Sequence, residues 1–195
     1  LTKIYANDSK SKFYYVLIDH NIRKDSNKEA KKVKTLLKKK NIILKIFQNK
    51  KKIFKNIQAE ARSIRYKTLT NYCKKSKIKT ILTAHNLEDQ VETFFIRLSR
   101  GSGLKGLSAM KPLSKIENGV SLYRPLLDIK KKLLVKITKK VFGKYIKDPS
   151  NKNVKFLRTK IRNLKKPLEK SGIKYEQIFR SIQNLSFSKE TLDTF

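Results

Sequence analysis

Residues 78–98, IKTILTAHNLEDQVETFFIRL, change their hydrophobic period midway. IKTILTA (78–84) is an apolar, β-branched run that reads as a strand. From Leu87 the apolar positions recur at helical spacing, with Leu87, Val91, Phe94 or Phe95, and Leu98 on the side to be buried. Asn86 is placed to cap that helix, with Asp89 three positions on. The stretch is also electrically odd. The chain has a formal net charge of +34 and 15 acidic residues, yet Glu88, Asp89 and Glu92 fall within five positions.

The same alternation extends upstream. FYYVLI (13–18) reads as a buried strand. Ser26 and Glu29 have capping-box spacing, and Ala30, Val33 and Leu37 continue a helical stripe to about residue 39. IILKIF (42–47) is a second strand, and Ile57, Ala61, Ile64, Thr68 and Tyr72 mark a long helix. This order predicts an α/β fold with a parallel sheet and right-handed crossovers. Ligands of such sheets sit at the carboxyl ends of the strands, where both histidines of the chain, His20 and His85, are expected. Downstream of about residue 125 the pattern turns to Lys-rich helices, roughly 129–142, 154–166 and 174–185, with a turn at DPSN (148–151). The division expected is therefore a domain over 1–125 and a small helical subdomain over 126–195, joined through Tyr123-Arg124-Pro125.

Composition narrows the class. With 195 residues, 38% of them hydrophobic, the chain is long enough for one real core. Cys73 is its one cysteine, which excludes an internal disulfide, and no long apolar run is present, so a reducing cytoplasm and no membrane are expected. Lys and Arg outnumber Asp and Glu 30 to 9 over residues 1–125 and 19 to 6 beyond. So even an excess leaves two readings open, a polyanionic partner such as nucleic acid or a general lysine bias.

The acidic trio carries the chemistry. Asp89 and Glu92 are three apart and Glu88 and Glu92 four apart, so they share a helix face. Near the helix start, capping and the macrodipole alone account for Asp89. Paired carboxylates at a strand's carboxyl edge also suit two tasks, holding Mg²⁺ for a nucleotide or gripping an ammonium group. Arg97 and Arg100 follow, then Gly101-Ser102-Gly103, whose glycines can end the helix in left-handed conformation and whose amides can form an anion nest.

TAHNLEDQVETFFIRLSRGSGLKGLSAM (83–110) resembles the signature of the tRNA(Ile)-lysidine synthases, a family of PP-loop ATPases. Four further stretches resemble that family's motifs in order: IDHNIR (18–23), EARSIRY (60–66), YRPLLDIKK (123–131) and KDPSNKNVKFLRTKIR (147–162). Two departures stand out. The family's nucleotide loop, Ser-Gly-Gly-x-Asp-Ser, is not found and is expected to precede Leu1, which makes the chain read as a fragment with little or no ATP binding of its own. Thr159 stands where the family usually has Asn.

The resemblance implies an adenine nucleotide alpha hydrolase-like sheet. It implies a ligase that uses ATP and Mg²⁺ to join free L-lysine to C2 of the wobble cytidine of a CAU-anticodon tRNA(Ile), through an adenylated tRNA. A homodimer is compatible with it. Position by position, it implies Asp89 and Glu92 at the reaction centre for lysine or Mg²⁺, with Asp89 the candidate metal ligand. His85 would border the nucleotide, His20 and Arg23 would lie beside the ATP pocket, and Arg62 and Arg65 would face that pocket or the cytidine phosphate. Arg97, Arg100, Arg158 and Arg162 would bind nucleic acid, the last two on the anticodon stem backbone. For these arginines a solvated helix face or an ordinary helix-end cation stays open. Rival readings are a sulfur-inserting PP-loop tRNA enzyme, which a single cysteine disfavours, and a non-catalytic basic RNA-binding protein.

Overall fold

The computed structural model describes residues 1–51, 53–146, 149, 153 and 156–194. The chain forms two compact units, Leu1–Ile78 and Lys79–Phe195.

In the first unit α1 (Thr2–Ser9) precedes β1 (Tyr15–Asp19), α2 (Ser26–Lys38), β2 (Leu44–Gln48) and α3 (Ile57–Lys75). β1 and β2 pair in parallel from Tyr15↔Leu44 to Asp19↔Gln48. A parallel pair needs a crossover, and α2 supplies it. Ala30, Leu44, Ala61, Thr70 and Cys73 are buried. Tyr72 of α3 meets Phe47 of β2 at 5.3 Å between ring centroids, and the Lys45 ammonium lies 4.5 Å over the Tyr72 ring. The start of α2 departs from expectation. Asp25, not Ser26, is the N-cap residue, and neither builds a capping box. Glu29 instead takes the Arg23 guanidinium on both oxygens, at 3.1 and 2.8 Å. A bidentate guanidinium is a stronger partner for a carboxylate than one backbone N–H.

The second unit contains β3 (Thr80–Leu82), α4 (Leu87–Leu98), α5 (Leu104–Leu107), β4 (Leu113–Lys115) and β5 (Ser121–Tyr123). It continues with α6 (Lys131–Phe142), α7 (Leu157–Asn163), α8 (Lys165–Lys170) and α9 (Tyr175–Leu192). β5 lies between β3, to which it is parallel, and β4, to which it is antiparallel. The β4–β5 hairpin escapes the sequence patterns because each strand is three residues long, too short to show a period.

Leu87 and Val91 of α4 form one core cluster with Ala109 and with Tyr175 and Ile182 of α9, and Phe94, Phe95 and Phe179 pack against it. The helices after residue 125 thus build their core jointly with α4. Leu98, expected on the buried side, is 47% exposed, because the core ends one turn earlier. The single helix expected over 154–166 is divided: α7 ends at Asn163 and α8 starts at Lys165. Pro167 is the cause, since its ring crowds the carbonyl four residues back, that of Asn163. The turn expected at DPSN lies outside the described residues apart from Pro149, as do residues 154 and 155.

Candidate active site

The second unit's site starts where β3 ends. The Thr83 amide donates to the Tyr123 carbonyl at 3.0 Å, and Thr83 Oγ1 lies 2.9 Å from His85 Nδ1. Asn86 then turns extended (φ −127°, ψ −178°) and closes a reciprocal cap. Its Oδ1 accepts from the Asp89 amide and Asp89 Oδ2 accepts from the Asn86 amide, both at 3.1 Å. The expected cap is therefore present, and it orients the three carboxylates of α4.

Each carboxylate meets a cation carried by the later helices. Glu92 is 2% exposed. Its Oε1 accepts from Arg162 Nε at 2.7 Å, and its Oε2 accepts from Arg158 Nε and Arg162 Nη2, both at 2.9 Å. Glu88 Oε1 takes the Lys165 ammonium at 3.1 Å, and Oε2 takes the Lys131 amide at 2.8 Å, which satisfies an open donor at the start of α6. Asp89 Oδ1 is 3.9 Å from Arg158 Nη2. An ionised carboxylate buried this deeply is stable only with hydrogen-bonded countercharges. The Glu92 pairing holds the Arg162 proton more firmly than usual. Burial, then the charges of Glu92, Glu169 and Glu88, push the Tyr175 phenol up to about 12.

This arrangement changes what the trio can do. Glu92 was expected to present oxygens to lysine or Mg²⁺, but both are already accepting from guanidinium groups, and both Glu88 oxygens are likewise engaged. Asp89 Oδ1 keeps acceptor capacity, and its side chain is partly exposed. In nucleotide sites Mg²⁺ is commonly held by one or two carboxylates together with phosphates. Asp89, the most exposed of the three, fits that role as a single protein ligand, while Glu88 and Glu92 are less exposed and already hold cations.

The end of α4 is built differently from expectation. Arg97 Nη1 donates to the carbonyls of Gly106 at 2.7 Å and Ala109 at 2.8 Å, so this guanidinium clamps the segment after α4. Arg100 is exposed. Gly101 has φ +68° and ends the helix in left-handed conformation, as expected. Its amide and that of Ser102 donate back to the carbonyls of Leu98 and Arg97, which takes two donors away from an anion nest. Sequence reasoning missed Gln90, whose amide group bridges both the carbonyl and the N–H of Met110 at 2.8 and 2.9 Å. It also passed over Arg124, which is buried and donates to the Lys111 carbonyl and Ser114 Oγ. A polar residue inside an apolar helical stripe was the available signal for Gln90.

The remaining candidates belong to the first unit. His20 follows the last residue of β1, and both its ring nitrogens are buried without a hydrogen-bond partner among the described residues. Burial, then the positive charge of Arg65, lowers its pKa against an opposing pull from Asp19. The Arg62 guanidinium lies 5.0 Å over the Tyr66 ring, and Arg23 is held by Glu29 as described. So His20 lies within electrostatic reach of Arg65 here, while Asp89, Glu92, Arg158 and Arg162 are brought together in the second unit, with His85 bonded to Thr83 just ahead of α4.

Comparison with known proteins gives this geometry a setting. The tRNA(Ile)-lysidine synthase of Wolbachia pipientis wMel is 41% identical over 165 residues, 83% of this chain and 38% of that protein. The Orientia tsutsugamushi enzyme of the same name is 40% identical over 171 residues, 86% of this chain and 38% of that protein. That of Bradyrhizobium diazoefficiens is 35% identical over 158 residues, 80% and 44%. The chain therefore spans less than half the length of these curated relatives. Among solved structures, the U34-tRNA thiolase NcsA from Methanococcus maripaludis superposes with a TM-score of 0.73 over 95% of this chain and 66% of that one. At 18% identity this likeness concerns the fold. A family model for the PP-loop domain matches residues 1–168, from α1 through the cations that grip Glu88 and Glu92. By that match and the strand–helix order beneath it, the chain belongs to the PP-loop domain family.

Proposed function

We propose that this chain carries the catalytic part of a tRNA(Ile)-lysidine synthase, a ligase that forms a carbon–nitrogen bond. The observation that carries this reading is the 35–41% identity to curated lysidine synthases over four-fifths or more of the chain. In the first step the C2 oxygen of the wobble cytidine attacks the α-phosphorus of ATP, and pyrophosphate leaves. In the second, the neutral ε-amine of lysine attacks C2, the C2–O bond breaks with AMP as leaving group, and the amine loses a proton.

In this reading Asp89 Oδ1 serves the reaction centre, gripping an ammonium of lysine or contributing to a Mg²⁺ that neutralises the phosphates. Arg158 and Arg162, fixed by Glu92, hold the RNA backbone, Arg100 adds a further cation for the RNA, and Arg97 serves it through the segment after α4 that it clamps. His85 borders the nucleotide. His20, Arg23, Arg62 and Arg65 serve the ATP side. Residues 1–125 are the catalytic part and 126–195 the part that handles tRNA. Cytoplasmic location accompanies such a role; among the described residues no helix is long and apolar enough to cross a membrane. The sulfur-inserting alternative is disfavoured by Cys73, which is buried and whose thiol pKa is raised by that burial, the opposite of what a reactive thiolate needs.

The test uses the full-length protein with a CAU-anticodon tRNA(Ile) transcript, ATP, Mg²⁺ and lysine. Lysine-dependent release of AMP, lost in Asp89→Ala while tRNA affinity persists, supports the proposal. tRNA binding without lysine-dependent AMP release would point to a non-catalytic RNA-binding protein instead.

A further inference from the structure

The helix α6 reads KKLLVKITKKVF, with lysine at 131, 132, 136, 139 and 140 and no acidic residue. Among the described residues, the other helices of eight residues or more, α1, α2, α3, α4 and α9, each hold at least one carboxylate. A lysine bias spread evenly over the chain leaves acids scattered among the lysines, and in α6 that scatter is missing.

Lys132, Lys136, Lys139 and Lys140 are exposed. At about 100° per residue they fall within roughly 100° of the helix circumference, and Lys132 to Lys140 spans about 12 Å along the axis. The opposite side, formed by Leu134, Val135, Ile137 and Phe142, is half-buried. Neighbouring cations are paired: Lys130 with Glu176, and Lys165 with Glu88 at 3.1 Å. The four lysines of the exposed row have no acidic partner among the described residues. Such a row costs stability by itself. Like charges four apart on a helix repel, and Lys132 lies in the first turn, where the helix dipole disfavours a cation. The helix is nevertheless anchored at the candidate site, because Glu88, next in sequence to Asp89, accepts from the Lys131 amide at 2.8 Å. An exposed row of cations without an internal partner fits a polyanion. An anionic membrane would need the apolar side of α6 free to insert, and that side is half-buried. A phosphodiester backbone needs only the exposed cations.

We infer that Lys132, Lys136, Lys139 and Lys140 form a docking row for the phosphodiester backbone of the tRNA, contributing affinity and orientation without reading sequence. The inference rests on the proposed function for its partner, and it names a surface on α6 separate from Arg158 and Arg162.

The test measures binding of the CAU-anticodon tRNA(Ile) transcript to the full-length protein over a range of salt concentrations. One variant replaces all four row lysines by Gln. A control replaces Lys31, Lys32, Lys34 and Lys38 of α2, which are also exposed, and removes the same charge. Each lysine–phosphate contact contributes about 0.9 to the slope of log affinity against log salt. The row variant is therefore expected to lose about 3 to 4 from that slope and to bind at least about tenfold more weakly at low salt, whereas the control loses less than about 1. Thermal unfolding is expected to match the parent. Should the fourfold variant be unstable, Lys132→Gln with Lys136→Gln, and Lys139→Gln with Lys140→Gln, are expected to share the slope change about equally. A parental slope in the row variants overturns the inference. So does an equal loss in the control, which makes the effect one of net charge. Binding of phosphatidylserine vesicles that the row variant loses, with its tRNA slope unchanged, also overturns it and assigns the row to a membrane. A parent that binds tRNA through the row but releases no AMP with lysine sinks the proposed function and leaves the row standing; a parent that binds no tRNA sinks both.

Discussion

Replacing Glu92 by Ala removes the one carboxylate that both Arg158 and Arg162 grip. Deleting one partner of a buried ion pair costs roughly 3–5 kcal/mol, because the other partner is left charged and unpaired. Here the stranded partners are 34% and 28% exposed, so water recovers part of that cost. The expected loss is about 2–3 kcal/mol, a large fraction of the roughly 5–15 kcal/mol that stabilises a domain. At about 4 °C per kcal/mol for a unit of this size, the melting temperature should fall by roughly 8–12 °C. Urea unfolding followed by circular dichroism, with hydrogen exchange on the amides of α4 and α7, measures the loss where it should occur. Two controls sharpen the comparison. Asp89→Asn preserves an acceptor for the cap and should stay within about 0.5 kcal/mol of the parent. Adding Arg158→Met to Glu92→Ala should restore some stability by removing a stranded charge. A Glu92→Ala loss no larger than that of Asp89→Asn would refute the view that this carboxylate ties the later helices to α4.

Three further outcomes follow from the geometry. Gly106→Ala should destabilise by about 1–3 kcal/mol in urea unfolding, against the usual gain from alanine in a helix, because its Cβ would lie 2.5 Å from Ser102 Cβ. His20 has a lowered pKa, so the unfolded chain binds its proton more readily; stability in the first unit should fall as pH drops through about 6.5, and His20→Gln should flatten that dependence in paired urea titrations at roughly pH 7.5 and 5.5. Tyr175 has a raised pKa, so its contribution is intact below about pH 10 and is lost as pH rises toward 12. A difference titration of tyrosinate absorbance against Tyr175→Phe should isolate this phenol among the eight tyrosines, with its midpoint near 12.

Much of the fold is legible because its signals are local. Asn86 and Asp89 cap α4 through contacts three residues apart, and Gly101 ends it by backbone freedom, so both can be read from the residues themselves. The strand–helix alternation is legible for the same reason, since period and length are properties of short windows. Local reading fails where a stronger partner competes nearby, as when Arg23 takes Glu29 from the expected capping box, or where an element is as short as β4. The acidic trio shows the larger limit. Its spacing placed three carboxylates on one helix face and left open what they serve. Their partners stand 66, 70 and 77 positions further on, at Arg158, Arg162 and Lys165. Nothing in a local window joins charges so far apart. Burial decides the pairing: when α7, α8 and α9 close over α4, Glu92 is removed from water and becomes stable as a charge only if those cations come with it. By itself the sequence determined the helix, its cap and the chemistry available on its face. The tertiary structure decided that Glu88 and Glu92 grip the protein's own cations and left Asp89 the most exposed of the three.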